Sequence, residues 1–272
     1  MNGLYTGSIV LVGAANMGGA MLSGWLRNGV PGSSVTVVDP NPSEAMLTMI
    51  AEAGASHSTK APSGKTADIL FLAVKPQVME QVLPPLKSLV GQSTVVVSVA
   101  AGKTLAFMED HLGKAAMVRA MPNTPAMIGR GITGAFANAE VSAQQRDAVQ
   151  RLLKVSGPVE WVLSEADINA VTALSGSGPA YVFYLVECMA EAGRKAGLPA
   201  DLAMRLARET VAGAGELLHR SPDDASKLRQ NVTSPGGTTA AALGVLMADQ
   251  SMQTLFDHAI EAARLRAEEL AR

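Results

Sequence analysis

Charge is scarce in this 272-residue chain: Asp, Glu, Lys and Arg make up 17% of it, against about 25% in ordinary soluble domains. The net charge of −2 is spread without acidic or basic runs. The electrostatic footprint that nucleic acid or an anionic membrane surface requires is therefore lacking, and neither partner is expected. A single cysteine, Cys188, excludes an intrachain disulfide and fits a reducing compartment. Its apolar setting, Tyr181-Val-Phe-Tyr-Leu-Val-Glu-Cys-Met-Ala190, predicts a thiol packed in a core as a small hydrophobe. His57, His111, His219 and His258 lie far apart and match no metal-ligand spacing, so no metal is expected. No apolar run approaches the roughly 20 residues of a membrane span, and no basic segment precedes the first apolar stretch. A cytoplasmic protein is the expectation.

What the chain does have is aliphatic surface, with 48% of residues hydrophobic and only 4% aromatic. So much apolar area with so little charge has to be covered, and contact between subunits is a natural outlet. The sequence changes grammar part-way. Up to residue 164, β-rich runs alternate with helix-length segments: Ser8–Val12, Val35–Val38, Ile69–Val74, Thr94–Val99 and Ala116–Met121. Near-continuous apolar strands of this kind imply a parallel sheet covered on both faces, a Rossmann-like doubly wound α/β domain over residues 1–164. From Glu165 the β signal stops, and residues 165–272 read as an all-α domain rich in Ala, Leu and Met. Pro179 to Ala196 is apolar on nearly every side in its first half, which predicts a helix enclosed by others, including those of a second subunit.

Two segments carry the chemistry. Gly13-Ala14-Ala15-Asn16-Met17-Gly18 follows the first strand and opens a helix, where a dinucleotide pyrophosphate sits. Asp39 ends the next strand 21 residues past Gly18, where an acid bonds the adenosine ribose. The second fingerprint glycine is Ala15, whose methyl is expected to crowd the phosphates. With Asp39 present and no arginine between Thr36 and Glu52, NADH looks locally more comfortable than NADPH, though the sequence leaves both open. Ala73-Val74-Lys75-Pro76, Val99-Ala100-Ala101 and Asn123 close three later strands, suggesting a cofactor laid across the sheet edge; Lys75 taken alone also fits a solvated residue before a proline-initiated helix.

The second segment, Asn231-Val-Thr-Ser-Pro-Gly-Gly-Thr-Thr-Ala-Ala-Ala-Leu243, sets a proline, two glycines and four hydroxyls ahead of good helix formers. A Ser/Thr cap on a Pro-Gly turn explains part of it. A cap needs one hydroxyl, however, and the excess favours an anion site built from Ser234, Gly236, Gly237, Thr238 and Thr239 at a helix N-terminus. A small anionic substrate is the expected ligand.

Together with Leu72-Ala-Val-Lys-Pro76, Met121-Pro-Asn-Thr-Pro125 and Ala173-Leu-Ser-Gly-Ser-Gly-Pro-Ala-Tyr181, these segments make the chain resemble pyrroline-5-carboxylate reductases from about Ser8 to Leu270. The resemblance implies reduction of the cyclic imine 1-pyrroline-5-carboxylate to proline by NADPH or NADH, the last step of proline biosynthesis, in a dimer or higher oligomer. It implies a carboxylate grip by the Ser234 side chain and the Thr238 and Thr239 amides, with the Thr239 hydroxyl on the ring nitrogen as the catalytic group. Glu165 is implied beside the substrate, and Asn231 at the nicotinamide end of the cofactor, where an exposed loop Asn is the alternative. Ser175-Gly-Ser-Gly-Pro-Ala180 also reads as a serine-capped helix start. Two rivals stand beside this reading. A β-hydroxyacid dehydrogenase would carry a catalytic lysine after its glycine-rich turn, and Pro179–Met189 has none. A non-catalytic NAD(P)-binding protein would leave the anion site without a purpose.

Overall fold

The computed structural model describes residues 4–64 and 66–271. Packing divides the chain into two compact units, Met1–Ser177 with Ala263–Arg272, and Gly178–Ala262. The first is built on one sheet of β1 (Ile9–Val12), β2 (Val35–Val38), β3 (Ser56–Ser58), β4 (Ile69–Leu72), β5 (Val95–Ser98), β6 (Ala116–Pro122), β7 (Thr133–Ala137) and β8 (Val159–Trp161). Their order is β3-β2-β1-β4-β5-β6-β7-β8. All neighbours run parallel except β6 and β7. Alternation along each strand explains the continuous apolar runs. Ile9 and Leu11 enter a core with Trp25 and Phe71, whereas Val10 and Val12 enter one on the opposite face with Leu83 and Met108.

Helices α1 (Asn16–Arg27), α2 (Glu44–Glu52), α3 (Met79–Leu86), α4 (Leu105–Leu112) and α5 (Ala143–Lys154) cover these faces. Trp25 of α1 meets Phe71 edge-on at 5.0 Å and donates its indole N–H to the Leu152 carbonyl of α5 at 2.9 Å. A fully buried indole therefore leaves no polar atom unsatisfied.

The five strands expected from β-branched runs are all present, and three others carry no such signal. Ser56-His-Ser58 and Val159-Glu-Trp161 are edge strands. In β7, Thr133-Gly-Ala-Phe-Ala137, Gly134 is set by packing, since a Cβ there would lie 2.6 Å from Val171. Pairing and burial, rather than propensity, make these segments strands.

The expected division at residues 164 and 165 follows the change in secondary structure, but packing changes later. Helix α6 (Asp167–Val171) and a single π turn, Thr172–Gly176, lie on β6 and β7, with Ile168 and Ala173 buried. The chain also comes back: Leu270, ending α11 (Ser251–Leu270), sits against Gly102, where an added Cβ would lie 3.0 Å from the leucine's.

The second unit contains α7 (Gly178–Lys195), α8 (Ala200–Arg220), α9 (Ala225–Asn231), α10 (Thr238–Leu246) and the first part of α11. α7 and α8 pack through small residues, with Gly193 against Ala203. The enclosure expected for α7 is not supplied by its own chain, because Phe183 is 61% and Tyr184 66% exposed. Cys188 is exposed too, correcting its expected place in a core. It lines the same open face as Tyr184, whose phenol is pushed up chiefly by its hydrogen bond with Cys188.

Candidate active site

The sheet order fixes where a ligand can bind in the first unit. The chain runs outward from β1 to β3 and then crosses back to β4, so β1 and β4 flank the switch point where a doubly wound sheet opens a crevice at its carboxyl ends. Gly13 and Ala73 stand at that point. Gly13 has φ +86°, and a Cβ there would lie 2.8 Å from the Val74 side chain and 2.9 Å from the Ala73 carbonyl. Only glycine fits. Gly18 is required for a second reason, since its Cβ would stand 2.0 Å from the Gly13 carbonyl. α1 thereby packs against the end of β1.

Helix α1 starts without a side-chain cap, so the amides of Asn16, Met17 and Gly18 have no intrahelical partner. The first ladder bond runs from the Gly19 N–H to the Ala15 carbonyl. Ala15 has φ −72° and ψ −155°, an extended conformation open to any residue, so alanine strains nothing in the backbone. Its methyl is exposed at the mouth of the turn.

The expected cofactor residues that close the later strands come to the same sheet edge. Lys75 is exposed, and Pro76 opens a 3₁₀ turn. The Val99 N–H bonds the Leu72 carbonyl, and the Ala100 N–H bonds Ser98 Oγ at 3.3 Å, setting Val99-Ala100-Ala101 just past β5. Asn123 has a structural duty, its Oδ1 accepting the Ile132 N–H at 2.9 Å across the loop after β6.

Glu165, for which the resemblance implies a substrate contact, spends one oxygen inside its own unit. Oε1 accepts the Leu105 N–H at 2.8 Å and lies 3.2 Å from Arg119 Nη1. Arg119 is 3% exposed; burial lowers its pKa and the Glu165 charge works against that fall. The carboxylate thus caps the start of α4 and neutralises a buried guanidinium. This tie joins residues 60 and 46 positions apart and leaves no local sequence signal.

In the second unit, the loop ahead of α10 is a tight glycine turn. Gly236 has φ +69°, Gly237 is extended at φ −81°, and the Gly237 N–H closes the turn on the Ser234 carbonyl at 3.1 Å. α10 then begins without any side-chain cap, its first ladder bond running from the Ala241 N–H to the Gly237 carbonyl. Among the described residues, nothing takes up the amides of Thr238, Thr239 and Ala240, nor the hydroxyls of Ser234, Thr238 and Thr239. This decides against the simple capping reading. One hydroxyl of the expected set is committed elsewhere, since Thr233 bonds back to the Arg229 carbonyl of α9 at 2.6 Å. Asn231 ends α9 and is exposed.

The serine-rich turn before α7 is not a capped helix start. Helical dihedrals run from Val171 through Ser177, and the hydroxyls of Thr172 and Ser175 bond backwards to the Ile168 and Val171 carbonyls. A π turn stands where the sequence suggested an N-cap. Among the described residues, no three His, Cys, Asp or Glu side chains are grouped to hold a metal, and no helix is long and apolar enough to cross a membrane.

Residues 165–270 match the family model for pyrroline-5-carboxylate reductase dimerisation, and residues 8–102 that for NADP oxidoreductase, coenzyme F420-dependent. The pyrroline-5-carboxylate reductase of Pseudomonas aeruginosa is 39% identical over 98% of both chains, and that of Pasteurella multocida 36% identical over 97% of both. The chain belongs to the pyrroline-5-carboxylate reductase family. The solved Coxiella burnetii pyrroline-5-carboxylate reductase agrees at a TM-score of 0.91, with 36% identity, covering 98% of this chain and all of that one. The Plasmodium falciparum enzyme, solved with NADP bound, agrees at 0.80 with 26% identity, covering 98% of each. As a pyrroline-5-carboxylate reductase family member the chain is an oxidoreductase, and its helical part is a dimerisation domain. The open apolar face of α7 lies within that dimerisation domain.

Proposed function

We propose that this chain reduces 1-pyrroline-5-carboxylate to L-proline with NADPH or NADH, the last step of proline biosynthesis, in the cytoplasm. The observation that carries the reading is the unpartnered set of amides on Thr238 and Thr239, with the Thr239 hydroxyl beside them. The substrate is small and has one carboxylate. The Thr238 and Thr239 amides and the Ser234 hydroxyl grip that carboxylate at the positive end of α10.

The Thr239 hydroxyl then hydrogen-bonds the ring nitrogen. A threonine hydroxyl is far too weak an acid to donate its proton outright near neutral pH, so its role is to orient and polarise. The imine proton comes from water. The amides of Asn16, Met17 and Gly18 hold the cofactor pyrophosphate, with the strand ends from Ala73 to Pro76 and from Val99 to Ala101 alongside. A nicotinamide bound there supplies a hydride to the C=N carbon. Nitrogen gains a proton, carbon gains a hydride, and no base is required. Catalysis by the protein is placement of the reacting pair. Asn231 serves the nicotinamide end, and Glu165 acts as a positioning residue that holds α4 and Arg119.

The test is consumption of NADH or NADPH on adding the imine, with proline formed one-to-one. Dinucleotide binding without consumption would make the chain a non-catalytic NAD(P)-binding protein.

A further inference from the structure

We infer that Asp39 makes this chain select NADH over NADPH. The inference rests on reading the Gly13–Gly18 turn as the dinucleotide cradle, and it concerns only the adenosine end. Asp39 is pinned from every side. Its N–H bonds the Ser58 carbonyl at 3.1 Å, and its own carbonyl accepts His57 Nε2 at 2.9 Å. The carboxylate is held as firmly: Oδ2 accepts the Ala14 N–H at 2.8 Å and Oδ1 accepts the Asn41 N–H at 2.9 Å. Pro40 and Pro42 on either side of Asn41 stiffen the segment further.

Two charge-assisted bonds would have to break for this side chain to swing away from an incoming group. The negative charge is therefore a fixed part of the cradle, tied directly to the glycine-rich turn. Each carboxylate oxygen keeps a second lone pair, which suits the hydroxyl donors of an unmodified ribose. A 2′-phosphate offers only negative oxygens at that place. It has no evident cation to meet: none occurs between Thr36 and Glu52. On the β3 side the first is Lys60, whose backbone is tied in a turn by the Ser58 hydroxyl. Among the described residues on that side, Lys60 is the rival receiver for the phosphate.

The experiment is calorimetric titration of the full-length protein with NADH and with NADPH, without substrate. Wild type is expected to bind NADH about tenfold or more tightly, with the gap narrowing as salt is raised. Asp39→Asn keeps an oxygen acceptor and removes the charge, so NADPH should gain and the ratio should fall toward one. Asp39→Ser does the same if the asparagine variant melts early. Equal or tighter NADPH binding by wild type would overturn the inference, and its loss in Lys60→Ala would identify Lys60 as the receiver. An unchanged ratio in both Asp39 variants would overturn it as well. Binding of neither dinucleotide would instead refute the cradle.

Discussion

The two units bury their surfaces in opposite ways. In the first, strands and helices enclose large side chains completely, among them Trp25, Phe71, Met21 and Leu83. In Gly178–Ala262 the only buried hydrophobic residues among those described are Ala190, Ala203 and Ala207, while Val245 is 73% and Leu255 69% exposed. The first unit has an interior of its own. The second has helices and almost no interior, in keeping with its match to a dimerisation domain. The turn proposed to grip the substrate carboxylate thus lies in the unit with little interior, and the proposed dinucleotide cradle in the unit with a core of its own.

Breaking the assembly should have the largest effect. Phe183→Glu puts a charge on the open face of α7 and is expected to yield monomers, with lost helical circular dichroism and turnover reduced about a hundredfold or more. Dinucleotide affinity should persist, because the cradle lies in the other unit. A monomeric variant that stayed helical and active would refute the contrast.

Thr239→Ala sharpens the division of labour. Turnover should fall roughly ten- to a thousandfold, the range for losing one polarising hydrogen bond, while dimerisation and cofactor affinity stay as in wild type. Glu165→Ala probes the interior of the first unit by leaving the Arg119 guanidinium buried and unpaired. Loss of a fully buried partner costs about 3–5 kcal/mol. Since the Glu165 side chain is 27% exposed, about 2 kcal/mol is expected, a drop of roughly 5 °C in Tm. A sharp rise in substrate KM at unchanged Tm would return Glu165 to the substrate. Ala15→Gly should do least, tightening cofactor binding about twofold, because the backbone there is already relaxed and only a methyl is removed.

What was legible in the sequence divides by range. The glycine-rich turn, Asp39 and Ser234-Pro-Gly-Gly-Thr-Thr239 are local devices whose geometry follows from residues a few positions apart. Long runs such as Val95-Val-Val97 announced a sheet buried on both faces. Gly134 in β7 was illegible because Val171 dictates it, and the Arg119–Glu165 tie because its partners are remote in sequence. Cys188 misled, because its apolar surroundings read as a core whereas its own chain leaves it exposed; for α7 the same apolar pattern pointed to enclosure that included a second subunit, and Phe183 and Tyr184 are indeed open on their own chain.

In the proposed reaction the backbone amides opening α10 hold the substrate carboxylate. Thr238 is the first residue of that helix and follows an extended glycine, so proline is sterically welcome there while deleting one N–H. Losing a hydrogen bond to a charged group costs about 1.5–3 kcal/mol, roughly ten- to a hundredfold in KM for the imine. The KM of Thr238→Pro measured beside that of Thr238→Ala, which keeps the amide, tests this directly. A large rise confined to the proline variant is predicted, and an unchanged KM in a folded, dimeric Thr238→Pro protein would contradict the account.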